Sequence, residues 1–304
     1  MPEEEILSLP QGSAKDLIKK GEMTILSPTA SPKEQSVEGP MIERARELLG
    51  RDFLGVEAVR NMEEQLKKVG VDVQFDLENV PPADWNEADL QWAKDKGETL
   101  ILGAESMTRD GRAISLNLID FRELFRSGDP SGQTETLFYS FRPDANDWYA
   151  NEDFAKEVGR IKLGWRFVKK DLLEGSTSKT WTEQTNVMRE YEEGLKKTTV
   201  TRSQPRRRTP IETAYDLMLY YMNTGERLLP DKYDWGESQS SDGDRVCVGD
   251  VRPGGRERRQ LASWHFSPVH RRLSLKVVSH HFLDLCFLDY LERRIYVKSL
   301  LQIF

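Results

Sequence analysis

Histidine is missing from the first 264 residues of this 304-residue chain, and His265, His270, His280 and His281 all fall in its tail. Without an imidazole, the larger part of the chain cannot hold a histidine general base, a Ser-His-Asp triad or a histidine metal site. His280 and His281 are adjacent, so a strand would turn them to opposite faces and a helix would splay them. Even with Cys286 they do not make the converging ligand set that zinc needs, and no metal site is expected. Cysteine is nearly as scarce. Cys247 and Cys286 supply neither a disulfide framework nor a zinc-ribbon spacing, which fits a reducing compartment. Long apolar runs are missing too. The most apolar late stretch, HFLDLCFLDYL, is interrupted by Asp284 and Asp289 and is too short to cross a bilayer. The start, MPEEEILSLP, is acidic where a signal peptide is basic, so a cytoplasmic protein with no membrane partner is expected.

Nucleotide and nucleophile motifs are absent as well. No G-x-G-x-x-G and no G-x-S-x-G occurs. GRDFLG, from Gly50 to Gly55, has the glycine spacing of a phosphate loop. Val56 and Glu57 stand where Lys and Ser/Thr would grip the phosphates, so no cofactor is expected. Acidic pairs such as Glu63-Glu64 and Glu192-Glu193 fall on expected helices, where such pairs are usually solvated faces. Glycosidase-type chemistry needs two carboxylates facing across a cleft, so a carboxylate-dependent hydrolase ranks only as a second alternative. Asp242, Asp244 and Asp250 do not meet the twelve-residue calcium-loop pattern, because the acids are too few and Gly243 comes too early. A looser calcium site near Asp242 and Asp244 stays open.

What is present is charge. The hydrophobic fraction is 38% and the charged fraction 31%, so the chain can bury a core but must also carry exposed helices and polar segments. The net charge of −7 argues against general nucleic-acid binding by the whole molecule.

Residues 1–40 mix charge with Pro, Gly and Ser and read as a mobile leader. A helix should start after Pro40, with Ile42, Ala45, Leu48 and Leu49 on one face and Gly50 stopping it. A second should run from Val56 to Val69, capped by Gly70. In VDVQFDL, Val71, Val73, Phe75 and Leu77 alternate with polar residues, the mark of a half-buried strand. A third helix fits Glu87–Lys96, TLILGAESM reads as a strand, and Arg109-Asp110-Gly111 as a turn. ISLNLIDFRELF should change from strand to helix near Asn117. Trp148, Phe154, Trp165, Phe167 and Trp181 read as packing anchors, and Glu183–Lys197 as a polar helix. This makes residues 41–200 a helix-rich N-terminal domain with a few short strands.

The run Arg206-Arg207-Arg208 lies in TTVTRSQPRRR, the best candidate for a boundary. As a functional feature it would be a phosphate-contacting patch. The plainer reading is a solvated basic linker over 201–208, although three positive charges there oppose the dipole of the helix that follows. Thr209-Pro210-Ile211-Glu212 starts that helix: Thr209 caps, Pro210 suits the first position, and Glu212 completes a capping box. Ala214, Leu217, Met218 and Tyr221 form its expected buried stripe, and Gly225 ends it. Leu228, Leu229, Tyr233 and Trp235 are expected in the core. SSDGD reads as a turn. RVCVGD alternates, with Val246 and Val248 on one face and Arg245 and Cys247 on the other.

TPIETAYDLMLYY, GERLLPDKYDW and SSDGDRVCVGD resemble an uncharacterised bacterial family found in candidate-phyla genomes. Its C-terminal part is similar to the C-type-lectin-like fold of the formylglycine-generating-enzyme type, which also carries the variable proteins of diversity-generating retroelements. The resemblance extends through RARELLGRDFLGVEAVRNM and DWYANEDFAKE back to about residue 24, while the lectin-like part rests on Thr209–Asp250. It implies display on a rigid α+β scaffold, with Asp244, Arg245, Cys247 and Asp250 as outward, ligand-binding positions. Formylglycine chemistry is not implied, because the catalytic cysteines of that enzyme have no counterpart.

After Asp250 the resemblance stops. Residues 1–250 hold 34 basic and 47 acidic side chains, and residues 251–304 hold 10 and 4. This reversal, in place of the Gly-rich turns and terminal Ser-Arg of the family, points to a change of reading frame near Val251. A lectin-like domain over 209–304 would then lack its closing strands and present a bare edge. The expectation is an α+β protein, helix-rich at first and then lectin-like but incomplete at its C-terminus. Its expected function is non-enzymatic binding of an unidentified protein or glycan. Nucleic acid is the alternative partner, through Arg206, Arg207, Arg208 and the basic tail.

Overall fold

A computed structural model describes residues 39–132, 136–141, 148–198, 205–229, 232–251 and 263–269; for 139, 250–251 and 263–269 it describes the backbone. The fold is a mixed α+β arrangement. Most of the expected leader, residues 1–38, lies outside the described residues, as do His270, His280, His281 and Cys286.

The first helix, α1 (Pro40–Leu49), buries Ile42, Ala45 and Leu49, the expected three- and four-residue spacing, while Leu48 is only half-buried. Strand β1 (Phe53–Leu54) and helix α2 (Val56–Lys68) follow, the helix burying Val59, Met62 and Leu66. Strand β2 (Val73–Phe75) keeps the alternation expected of it, with Val73 and Phe75 inside and Gln74 exposed. Helix α3 (Glu87–Asp95) is opened by an Asn86–Asp89 capping box. TLILGAESM resolves into two strands rather than one, β3 (Glu98–Gly103) and β4 (Ser106–Arg109). Strand β5 (Arg112–Ser115) pairs back on β4, with Arg109 opposite Arg112. Both residues of the connecting turn, Asp110 and Gly111, have positive φ, as a tight hairpin of primed type requires. The change from strand to helix falls at Asn117, whose side chain caps α4 (Leu118–Glu123). Helix α5 (Asp153–Lys156), strand β6 (Gly164–Lys169) and helix α6 (Trp181–Lys196) complete the part before the arginine run.

Three small sheets result. In one, β3 lies between β1, parallel to it, and β6, antiparallel. Every residue of β3 is buried. Its Leu100 faces a small cluster with Ile42, Leu49, Phe53, Trp85 and Leu90, whereas Ile101 faces the main core. A strand covered on both sides explains why TLILG lacks alternation. Trp165 and Phe167 behave as the expected anchors, meeting Trp85 at ring centroid distances of 5.4 and 6.0 Å. The second sheet is the β2-β4-β5 meander.

Helix α7 (Pro210–Thr224) starts and stops as its sequence dictates. Thr209 and Glu212 form the capping box, Pro210 takes the first position, and Gly225 turns left-handed at φ 70°. The expected one-sided stripe is corrected, because every residue from Pro210 to Met222 is buried. A helix apolar on all sides is a core helix rather than a surface one. It shares one hydrophobic cluster with α2, β2, α4 and the later strand residues Val246 and Val248. Its tyrosines pin separate elements. Tyr215 Oη donates to the Leu102 carbonyl at 3.1 Å, Tyr220 to Asp52 at 3.0 Å, and Tyr221 to Asp129 at 2.7 Å.

The third sheet is antiparallel, β7 (Tyr233–Gln239), β8 (Arg245–Val251) and β9 (Ser263–Val269), with β8 in the centre. Leu228 and Leu229 are buried as expected, while Tyr233 and Trp235 are only half-buried. The bare edge expected after Asp250 is also corrected. Strand β9 pairs with β8 from Arg245↔Val269 to Val251↔Ser263.

Removing a side chain from the middle of α7 leaves a cavity, whereas removing its capping hydroxyl loses the hydrogen bonds to the Glu212 carboxylate and from the Glu212 N–H. Met218→Ala is therefore expected to cost about 2–5 kcal/mol and Thr209→Ala about 1 kcal/mol. Urea unfolding at constant slope measures both.

Candidate functional site

Two carboxylates sit on the buried helix, Glu212 at 2% exposure and Asp216 at 0%. A charge there must be paired, and arginines do the pairing. Arg206 forks onto Glu212, with Nη1 to Oε2 at 2.9 Å and Nη2 to Oε1. Arg208 donates Nε and Nη2 to Asp234 Oδ2 at 3.1 and 2.7 Å, and Nη1 to Asp216 at 3.2 Å. Arg166, from β6, reaches the other oxygen of Asp216. It can do so because a Cβ on Gly103 would collide with its guanidinium. Gly236 plays the same part on β7. There a Cβ would come within 3.0 Å of the Arg208 carbonyl, which accepts the Glu237 N–H at 3.0 Å.

The run Arg206–Arg208 is thus more than a solvated linker: Arg206 stays exposed, yet it and Arg208 neutralise the acids of α7. This removes the conflict with the helix dipole, because Glu212 lies in the first turn. Burial alone would push the Glu212 carboxyl up. The Arg206 hydrogen bonds, the Thr209 N–H and the charges of Arg166 and Arg206 outweigh burial and hold it below the usual carboxylate range.

Arg207 points elsewhere. Its Cζ lies 3.7 Å from the ring centroid of Trp181, the first residue of α6, and Arg245 Cζ lies 3.8 Å from the same centroid. Two carbons that close to one centroid cannot share a face, so the indole is held between two guanidinia. This arrangement suits the negative faces of the ring. Arg207 Nη1 donates to Gln184 Oε1 at 3.1 Å and to the Trp235 carbonyl at 3.2 Å. Its Nη2 is covered and makes no hydrogen bond. Burial first, and then the nearby Arg245, pull the Arg207 pKa below that of an ordinary guanidinium, while Asp234 opposes them. Arg245 Nη1 also donates to the Glu237 carbonyl at 2.7 Å, and Glu237 in turn pairs with Arg160.

The residues expected at the site are therefore distributed unevenly. Arg245 and Arg207 come together on Trp181. Asp244 is half-buried at the hairpin turn, its N–H donating to Ser240 Oγ at 3.2 Å. Cys247 does not face outward, being buried at 3% exposure. For Asp250 the backbone pairs with Trp264. The sequence reading missed Trp181, which it took for a packing anchor, and also Arg166, Asp216 and Gln184. An acid in the apolar run AYDLMLYY was a usable signal, since a buried Asp216 demands a cation.

Among the described residues no three His, Cys, Asp or Glu side chains gather as a metal would require, and no helix is long and apolar enough to cross a membrane. Burial pushes the Glu63 carboxyl up, but the Phe75 N–H and Arg60 bind it at 2.5 and 2.7 Å. No family model matches the chain, and no curated protein or solved structure matches it.

Asp216→Asn strips the charge that faces Arg166 and Arg208 and is expected to cost about 3–5 kcal/mol. For Glu212 the folded value lies below the unfolded one. Its contribution is therefore complete above the unfolded value of about 4.3 and is lost as pH falls through the folded value. Unfolding free energies measured across acid pH should fall less steeply in Glu212→Gln than in the wild type.

Proposed function

We propose that this is a non-enzymatic binding protein that presents the β7–β8 hairpin, with Asp244 and Arg245, to a protein or glycan ligand. The observation that carries the reading is the anchoring of β8. Val246 and Val248 are locked in the main core, while Arg245 between them and the turn stands half-buried against Trp181. Such a strand can change its outward residue without disturbing its inward ones, which is what display on a rigid scaffold needs. The lectin-like platform, implied by resemblance, belongs to the same proposal. Support for it comes from a capped helix leading into an antiparallel ribbon. Cys247 drops out of the recognition set because it is buried. A cytoplasmic setting is part of the proposal, supported by the scarcity of cysteine.

The nucleic-acid alternative is weaker on two grounds. Arg206 and Arg208 are engaged by carboxylates, and both faces of Trp181 are covered, so no base can stack on it. A hydrolase is weaker again, because the buried acids of α7 are tied to arginines.

Capture of ligand from a glycan panel or a protein extract by the immobilised full chain should be lost in Asp244→Ala/Arg245→Ala, with far-UV circular dichroism unchanged. Unchanged capture by the double variant removes the hairpin from recognition. Binding that falls steeply with salt and is carried by nucleic acid instead would favour the alternative.

A further inference from the structure

We infer that the side-on edge of Arg207, formed by Nε and Nη2, is a built site for an oxyanion carried by the ligand, a carboxylate or a phosphate. The inference rests on the binding role proposed above and names the chemical group that role would recognise. The three consecutive arginines provide their own comparison. Arg206 gives both terminal nitrogens to Glu212, and Arg208 gives its Nε–Nη2 edge to Asp234. Arg207 spends Nη1 on Gln184 and the Trp235 carbonyl. Among the described residues nothing accepts from its Nε, and its Nη2 is covered without a partner. A fork of two parallel N–H groups is the geometry that carboxylates and phosphates match.

The surroundings fit an anion and hold the fork in place. The guanidinium plane is clamped between the indole of Trp181 on one side and the Nη1 acceptors at its end, so little rotamer freedom remains to be lost on binding. Arg245, across the indole, adds a second positive charge 3.8 Å from the ring centroid. Asp234 offsets part of the cost of holding a partly buried cation near Arg245, and an incoming anion would offset more of it. That further offset favours the occupied state. Because Nη2 is covered, seating the anion on the whole fork requires the groups over it to shift.

The test uses the full chain with 15N-labelled arginine and follows the guanidinium Nε–H resonances. Arg207→Gln identifies the Arg207 signal by its absence. Acetate, inorganic phosphate and chloride are titrated at constant ionic strength. We expect the Arg207 signal to move saturably with acetate, phosphate or both, and not with chloride. Saturation by acetate alone assigns the group as a carboxylate, and by phosphate alone as a phosphate. The oxyanion-dependent rise in Tm should be lost in Arg207→Gln. In Arg207→Lys, which keeps the charge without the fork, affinity should be about tenfold weaker or more. A linear drift shared with chloride, or an equal rise in Tm in Arg207→Gln, overturns the inference. The wild-type titration stands even if a variant fails to fold. An anion-silent Arg207 alongside capture that still depends on Asp244 and Arg245 sinks this inference alone. Capture indifferent to those two residues sinks the hairpin reading and leaves the anion result to stand by itself.

Discussion

The fold depends on placing a charged helix where water cannot reach it. Helix α7 is buried from Pro210 to Met222, yet it carries Glu212 and Asp216. An ionised carboxylate in such surroundings is tolerated only with a partner and saturated hydrogen bonds. That requirement accounts for features that look unrelated in sequence: the arginine run just upstream, Arg166 on a strand 50 residues earlier, and glycines at 103 and 236 where those side chains and their backbone must pass. The pairs need not add net stability over an apolar core. They fix how the helix sits against β6 and β7, since each carboxylate accepts from particular nitrogens.

Arg207 follows from the same constraint. In an extended segment successive side chains point to opposite sides. If Arg206 and Arg208 turn toward the acids of α7, Arg207 is sent the other way, to Trp181 and Gln184. A run of three like charges thus divides into two structural arginines and one of a different kind. The capping box at Thr180–Glu183 places Trp181 at the start of its helix to meet that guanidinium. At the far end of the same helix, Tyr191 donates to Glu98 of β3 and accepts from Trp92 at 3.1 Å. Helix α6 is therefore strapped at both ends while its outer face stays in solvent.

Local chemistry was readable in the chain, and long-range pairing was not. Thr209, Pro210, Glu212 and Gly225 specify the bounds of α7 through bonds within three or four residues. The Asp110-Gly111 turn and the Asn117 cap are equally local. The alternation of Val246 and Val248 gave the inward face of β8. What failed involved partners far away in sequence. One-sided periodicity could not reveal that α7 is covered all round, because the covering comes from α2, α4, β3 and β8. The burial of Cys247 depends on which surface lies over the second face of the ribbon, and the pattern of one strand does not contain that. The pairing of Arg208 was hidden for the same reason, since Asp234 and Asp216 meet it only after folding. Trp181 was legible as an aromatic but not as one clamped between cations.

A cationic site on an acidic chain has a consequence for what it can select. The net charge is −7, and the first 250 residues alone carry 13 more acids than bases. A long polyanion approaching the hairpin would meet that field along its whole length. A single oxyanion responds mainly to charges within a screening length, about 8 Å at physiological ionic strength, and around Arg207 those include the opposed charges of Arg245 and Asp234. If Arg207 takes an oxyanion as inferred above, the background charge would disfavour extended nucleic acid more than a single carboxylate or phosphate, a form of selectivity that needs repulsion as much as attraction. On the proposed reading, specificity beyond the anion would come from the hairpin that carries Asp244 and Arg245.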